Sequence, residues 1–405
     1  MRGATPCART EPDAAFHVPM SIVHLTRDEK FLPLARSLFE EAFPGQNRYL
    51  VVRPKRGARR YLRPASDIVE RSPLRFRTRW IAGDVAAADC VVVHGMSTMF
   101  GQTLRHVRPD CQVVWIGWGF DYMRLLSPRL GPLLLPGTAR LVQGAGGTGS
   151  GRSKSPLVAR LRAWWRPVAA GLTPAKPPAL VSAAPRIDVF SANPADAGLL
   201  REALPSLHAV FHPIPSFTVE DVFAAGPSEM DGPDVLLGNS ATPANNHVEA
   251  VELLRFRLPA GGRLVVPLSY GRASYARAVI DAGRAALAER FDPLTDWMPI
   301  AAYNTRIASC GLVFMNHRRQ QALGNICAAL YKGATVYLRR ENPLFDLFVG
   351  LGITLQAIET LEADPDAALQ TLDGEQRQRN RAAIEARCGR ANVVAAIRAL
   401  EGLRR

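Results

Sequence analysis

No stretch of this 405-residue chain stays apolar for the roughly 18 residues that a membrane-spanning helix needs. No helical span is therefore expected. The six cysteines, at 7, 90, 111, 310, 327 and 388, include no CxxC pair, so the spacing of a zinc site is absent. Several sit in apolar runs, where a free thiol behaves as a small hydrophobe, and a reducing compartment is expected. Residues 1–19 lack the apolar core of a secretory signal. They read as a tail or as an upstream start, with Met20 the better opening. No short-period repeat is visible. Acids are scarce: 36 Asp and Glu against 50 Lys and Arg give a net charge of +14. Such a surface suits an anionic partner such as nucleic acid, anionic lipid or a phosphorylated substrate.

What is present is a globular composition, 47% hydrophobic and 21% charged, long enough for two ordinary domains. "SIVHLT", "RYLVVRP", "DCVVVHG", "CQVVWIGWG" and "RIDVFSA" are β-branched runs of strand length, each followed by a polar or Gly-rich turn. A second series, "DVLLGN", "RLVVPLSY", "GLVFMN" and "ATVYLRR", alternates with helices expected from about Asn245, Arg272, Ile300, Gln321 and Pro343. The last stretch is helical. Strand–turn–helix units of this kind build parallel sheets with helices on both faces. The expected fold class is α/β, with two doubly wound Rossmann-like domains facing each other across a cleft. That is the GT-B architecture of nucleotide-sugar glycosyltransferases. The expected divisions are a tail at 1–19, an N-terminal acceptor-binding domain at 20–225 with a Gly-, Ser-, Pro- and Arg-rich insertion at 137–186, and a C-terminal nucleotide-sugar domain with terminal helices at 226–405.

In an open α/β sheet, ligands bind beyond the C-terminal ends of the strands. Five strand ends carry candidate residues there. In "VLLGNSATPANNHVEAV" (235–251), Gly238, Asn239 and Ser240 end a strand, and Asn245, Asn246 and His247 open a helix. A glycine admits a close ligand, and free N–H groups at a helix start attract a diphosphate. Ser240 and Asn245 would serve equally as helix caps. "NHRRQQALGNICAAL" (316–330) repeats the arrangement with His317, Arg318, Arg319 and Gly324. Arginine at a helix N-terminus gains nothing from the local dipole, whereas a bound phosphate would reward it. In "RRENPLFDLF" (339–348), Asn342 and Pro343 start a helix. Glu341 stands where it could accept hydrogen bonds from a ribose diol, or simply be a solvated acid. In the first half, His94 and Gly95 end one strand, and Trp118, Gly119 and Asp121 follow the next. An acid among glycines and indoles can carry a raised pKa, as a general base requires. Asp121 and His94 are thus the two catalytic candidates, although Asp121 could be a helix cap and His94 a structural histidine. Indoles and glycines at this tip, with Gly95, Trp118 and Gly119, suit a sugar acceptor.

Taken together, "HG" at 94, "WGFDY" at 118, "LLGNSATPANNHVEA" at 236, "VVPLSYG" at 265, "YNTRIASCGLVFMNHRRQQALGNICAAL" at 303 and "LRRENPLFDL" at 338 resemble the 4-acetamido-4,6-dideoxygalactose (Fuc4NAc) transferases of enterobacterial common antigen synthesis, the 4-alpha-L-fucosyltransferases of glycosyltransferase family 56. The resemblance spans roughly residues 20–400 and is strongest from 234 to 348. It implies transfer of Fuc4NAc from a dTDP-sugar to a polyprenyl-diphosphate-linked saccharide by a peripheral protein on the cytoplasmic face of the inner membrane. It also implies donor contacts from Pro267, Ser269, Tyr270, Gln320, Gln321 and Asn325 beside the residues already named. Two positions depart from the family: Ala322 stands where a glycine is usual, and Asn246 replaces the usual acid. No metal or cofactor is expected, because helix ends and arginines can neutralise a leaving diphosphate.

The positive charge is uneven. Residues 53–80 hold ten Arg or Lys against two acids, and "SKSPLVARLRAWWRPV" (153–168) sets Leu157, Leu161, Trp164 and Trp165 beside Lys154, Arg160, Arg162 and Arg166. An arginine-rich, Trp-bearing helix suits an anionic membrane surface. No RRM, KH, zinc-finger or helix-turn-helix signature supports nucleic-acid binding. A transferase using another nucleotide sugar or acceptor, a phosphorylase- or epimerase-like use of the fold, or a non-catalytic GT-B-like binding protein are the alternatives, since fold does not fix chemistry.

Overall fold

A computed structural model describes residues 20–54, 57, 59–146, 179–223 and 226–404. Two parallel sheets organise them. The first has seven strands in the order β3-β2-β1-β4-β5-β6-β7, and the second has six in the order β10-β9-β8-β11-β12-β13. Both follow the doubly wound order of a Rossmann sheet. In the first, β1 (Ile22–Thr26) pairs with β2 (Asn47–Val52) and β4 (Cys90–His94), followed outward by β5 (Gln112–Ile116) and β6 (Val189–Ser191). In the second, β8 (Val235–Leu237) lies between β9 (Leu264–Pro267) and β11 (Leu312–Met315), and β12 (Thr335–Leu338) follows. These central strands are buried on both faces, which is why they read as continuous β-branched runs. The two expected Rossmann-like domains are thus present.

Four strands were not expected: β3 (Ile68–Arg71), β7 (Val210–Phe211), β10 (Phe291–Leu294) and β13 (Gln356–Ala357). Each is an outermost strand of its sheet. An edge strand is short and half-solvated, so no apolar run announces it.

The expected divisions need two corrections. The helix Pro136–Gly146 opens the supposed insertion at 137–186, yet it packs against helices His247–Leu254 and Ala273–Leu287 of the C-terminal domain. The Thr138 hydroxyl and amide both donate to Glu249, and Leu141 and Val142 join that domain's core. In return, the helix Arg390–Arg398 leaves the C-terminal domain and packs on Leu32–Ala42 of the first. Arg390 pairs there with Glu41, and the Gln112 side chain donates to the Leu400 carbonyl. Each domain therefore lends a helix to the other. Apolar faces and not chain order decide where a helix docks. Among the described residues, no helix is long and apolar enough to cross a membrane.

Candidate functional site

The C-terminal ends of the two sheets face each other over a cleft of about 560 Å³. Its first wall is the β5 turn, with Gly117, Trp118, Gly119 and Tyr122, and the β6 turn, with Asn193 and Pro194. Its second wall is Asn239, Tyr270 and the run Arg319–Asn325. Of the residues expected to bind donor, Asn239, Tyr270, Arg319, Gln320, Gln321, Gly324 and Asn325 line it. Of those expected to hold acceptor, Trp118 and Gly119 do.

The second wall is built for an anion. The nine-residue helix Leu323–Tyr331 points its first turn into the cleft, and no side chain caps it. Uncapped N–H groups and the dipole make such an end positive. Ala322 precedes the helix with φ 57°, in the left-handed region. Glycine adopts that region freely, which is the physical sense of the glycine usual in the family. Arg319 stands beside it, half-buried. Its guanidinium donates to the Gln320 carbonyl at 3.0 Å, and no carboxylate among the described residues forms an ion pair with it. Burial lowers its pKa, opposed by the field of Asp196 from the other domain. Gln321 donates to Asn239 at 2.9 Å and to Asn245 at 3.1 Å, while its Oε1 has no partner among the described residues. Asn239 in turn donates to the Tyr270 hydroxyl at 3.0 Å.

Other expected site residues stand behind this wall. Gly238 has φ 66°, and a Cβ there would meet the side chains of Asn245 and His247, each at 3.2 Å. Ser240 is buried and bonds to Thr242, Asn245 donates to the Ser240 carbonyl, and His247 faces the Tyr275 hydroxyl at 3.0 Å. These residues shape the turn from within. Asn246 also takes a left-handed φ, of 50°. Its amide donates to the carbonyls of Leu133 and Asn316 and accepts from the Leu135 N–H. A carboxylate could not make those donations, which accounts for the missing acid. Pro267 is buried at the end of β9, and Ser269 is exposed outside the cleft lining.

The ribose clamp needs correcting. Both Glu341 oxygens accept from Arg318, each at 2.5 Å, and Arg318 also donates to the Pro132 carbonyl. The pair holds the 132 loop on the second domain, so both carboxylate oxygens of Glu341 already serve a structural contact, and neither residue lines the cleft. Asn342 is likewise engaged: it caps its helix through Leu344 and donates to the carbonyls of His317 and Arg319.

The first wall revises both catalytic candidates. Asp121 accepts from the Met96 N–H at 2.8 Å, the Trp115 indole at 2.9 Å and the Trp118 N–H at 3.0 Å. Burial raises its pKa, as expected of a base, but its oxygens are engaged and it does not line the cleft. His94 is buried and bonds through Nε2 to Nδ1 of His24 at 2.9 Å. Trp118 covers it, stacked with centroids 6.0 Å apart, and Phe31 stacks on Trp118 at 5.0 Å. Gly95, φ 73°, makes this possible: a Cβ there would strike the Trp118 ring at 2.7 Å. His94 and Gly95 thus support the tryptophan and do not face the cleft.

Sequence reasoning did not single out Asp196, a buried acid behind the cleft lining. It ends the β6 turn "SANPAD", is 1% exposed and accepts from the Tyr122 hydroxyl at 2.9 Å. Burial raises its carboxyl to about 6, against the pull of Tyr122 and Arg319. The signal available was an Asn-Pro-x-Asp turn directly after a strand.

A sequence model of the family described as 4-alpha-L-fucosyltransferase, glycosyl transferase group 56, matches residues 211–373. That span holds the whole second wall, and over it the chain is that of a nucleotide-sugar-dependent glycosyltransferase, as the motifs implied. Solved structures share the arrangement over nearly the full length. The N-terminal domain of trehalose-6-phosphate phosphatase from Candida albicans has a TM-score of 0.59 at 7% identity, covering 97% of this chain and 99% of that one. HepE from Anabaena, in complex with UDP and glucose, has a TM-score of 0.55 at 12% identity, covering 95% and 99%. Sucrose-phosphate synthase from Thermosynechococcus elongatus has a TM-score of 0.53 at 13% identity, covering 94% and 98%. At such identities the likeness is one of fold, the GT-B pairing of two Rossmann-like domains.

Proposed function

We propose that this glycosyltransferase moves a 4-acetamido-4,6-dideoxyhexose from a dTDP-sugar to a saccharide carried on a polyprenyl diphosphate, in the synthesis of a bacterial surface polysaccharide. The observation that carries the donor half is Arg319, without a carboxylate partner among the described residues, beside the uncapped start of helix Leu323–Tyr331, inside the matched span. The leaving diphosphate sits there, with Gln321 and Asn239 on its sugar side. Trp118 and Gly119, on the opposite wall, hold the acceptor. That HepE binds UDP and glucose in the same fold supports a nucleotide sugar. The resemblance supports dTDP and the lipid-linked acceptor.

Arg319→Ala is expected to weaken dTDP binding by about 1.5–3 kcal/mol, the range for a hydrogen bond to a charged group. Calorimetry with dTDP and a panel of UDP-sugars tests this, and an unchanged dTDP affinity would remove Arg319 from the donor site.

The same reading places the protein on the cytoplasmic face of the inner membrane. The stretch 153–168 lies outside the described residues. Within 53–80, Asp84 gathers Arg71 and Arg75, whereas Arg77 and Arg79 are exposed beside Leu74, 59% exposed, and Trp80, 60% exposed. Exposed arginines flanking an indole suit anionic headgroups. Co-sedimentation with phosphatidylglycerol vesicles should fall as salt rises, because surface charges are screened. Equal binding to neutral vesicles would contradict the electrostatic part.

A further inference from the structure

We propose that a second cavity, beside the cleft, holds the hydrocarbon tail of the acceptor, an isoprenoid chain whose diphosphate Lys30 receives. The assignment rests on the transferase reading above and names where the lipid half of its acceptor lies.

The cavity measures about 550 Å³ and lies between the two domains. Helix Ile300–Ile307 lines it with Ile300, Tyr303, Asn304 and Ile307, which follow the spacing of one helix face. Such a face ordinarily packs against its neighbour, and protein interiors leave few voids larger than a water molecule. Here the neighbouring helix Leu323–Tyr331 contributes Ala328 and Ala329, whose side chains are too small to close the gap. Leu34, from helix Leu32–Ala42 of the first domain, adds to the apolar lining. The lining holds two charged groups, Lys30 and Asp221. Asp221 is ion-paired with Arg390 at 2.6 Å. Lys30 is exposed, and no carboxylate among the described residues pairs with it. The deeper wall, with Leu236, Ile307 and Ala329 all buried, offers no side-chain donor or acceptor. Polar ligand edges would be stranded there, and hydrocarbon would not.

The cavity adjoins the cleft: Lys30, Phe31, Ser216, Phe217, Gly324 and Asn325 line both. Phe31 is the partition between them. It stacks on Trp118 with centroids 5.0 Å apart, and the Lys30 ammonium lies 4.7 Å from its ring centroid. A saccharide on Trp118 thus has a cation one ring away and an apolar cavity bordering the same ring. Sugar, anion and hydrocarbon follow in that order along a saccharide on a polyprenyl diphosphate. Burial of the tail supplies affinity without direction, while Lys30 sets where the diphosphate stops.

Calorimetry with dTDP at saturation, so that the donor's diphosphate site is filled, tests this. The probes are inorganic pyrophosphate and geranyl, farnesyl and geranylgeranyl diphosphate, each below the concentration at which it self-associates. Each added isoprene should tighten binding roughly tenfold or more until the cavity is full, since it buries several carbons. Ile300→Glu, at a position 54% exposed and so compatible with folding, should weaken farnesyl diphosphate by about tenfold or more and leave dTDP affinity unchanged. Ala328→Phe, which fills the cavity with a ring, should do the same. Lys30→Ala should weaken farnesyl diphosphate by about tenfold or more and leave farnesol unaffected. Affinity independent of chain length, or farnesyl diphosphate binding unaltered in both Ile300→Glu and Ala328→Phe, overturns the assignment. Loss of dTDP affinity in Ile300→Glu would put the donor's base in the cavity and overturn it as well. A wild type that binds farnesyl diphosphate in this way but transfers no sugar to a lipid-linked acceptor refutes the transferase reading and leaves the cavity assigned. One that transfers sugar but binds the probes without regard to chain length refutes the cavity alone.

Discussion

The urea midpoint of this protein should fall steeply as pH is lowered from 6.5 to 5. Four histidines, His24, His94, His247 and His317, are 3% exposed or less. Burial holds them neutral: it pushes His24, His247 and His317 down to about 3 and His94 well below its ordinary value. The hydrogen bonds agree. The Asn47 amide donates to the carbonyls of Phe39 and Phe43, so its oxygen faces His24 Nε2. His24 then carries its proton on Nε2, and its Nδ1 accepts from His94. A proton added at His24 Nδ1 would confront the His94 N–H. Likewise His317 Nδ1 lies 2.6 Å from the Asn342 amide nitrogen, which can accept no proton from it. For a group whose folded pKa is depressed below its unfolded value near 6.5, the stabilisation is complete above that value and is lost as pH falls. Asp196 acts in the opposite sense. Its carboxyl, raised to about 6, binds a proton before the unfolded chain does, so it offsets one of the four histidines in this window. Unfolding should still take up about three protons net at the lower end of the window, a loss of about 4 kcal/mol per pH unit. Domains carry only about 5–15 kcal/mol, so the loss is large. Denaturation followed by circular dichroism at pH 7, 6 and 5 measures it. A flat midpoint would mean that the histidines are neither buried nor bonded as described.

How much was legible follows from which forces act locally. Eight of the nine expected strands are buried throughout, and the ninth, β2, exposes Arg48; their composition says so without help from the rest of the chain. The four unexpected ones are sheet edges such as "IVER" and "FDPL", where pairing on one side fixes the conformation and composition does not. Turn positions were legible as turns, and Arg319 stood out because local structure alone does not account for it. What each side chain in a turn touches was not legible. Glu341 meets Arg318 across 23 residues, and Asn246 meets Leu133 across 113. Nothing in the spacing distinguishes a residue bonded to a distant loop from one left open to a ligand. The same limit hid Asp196, whose meaning depends on Tyr122, 74 residues earlier. It also hid the exchange of helices between domains, which is a matter of apolar faces meeting.

Asp121→Asn should lose roughly 2–4 kcal/mol of stability, and any loss of transfer should follow from that. One carboxylate joins three pieces of chain: the Met96 N–H after β4, the Trp115 indole within β5, and the Trp118 N–H at the cleft. All three groups only donate. An asparagine keeps one acceptor oxygen and sets an amide N–H where the other oxygen was. If the oxygen remains with Met96 and Trp115, the new donor confronts the Trp118 N–H. If it turns, the other two are confronted. Either way at least one buried donor is left unmet and the charge assistance is gone from the rest, each at about 1.5–3 kcal/mol. The turn that carries Trp118 and Gly119 should loosen, and limited proteolysis should cut between 94 and 122. An Asp121→Asn protein as stable and as protease-resistant as the wild type, yet unable to transfer sugar, would restore Asp121 as the base.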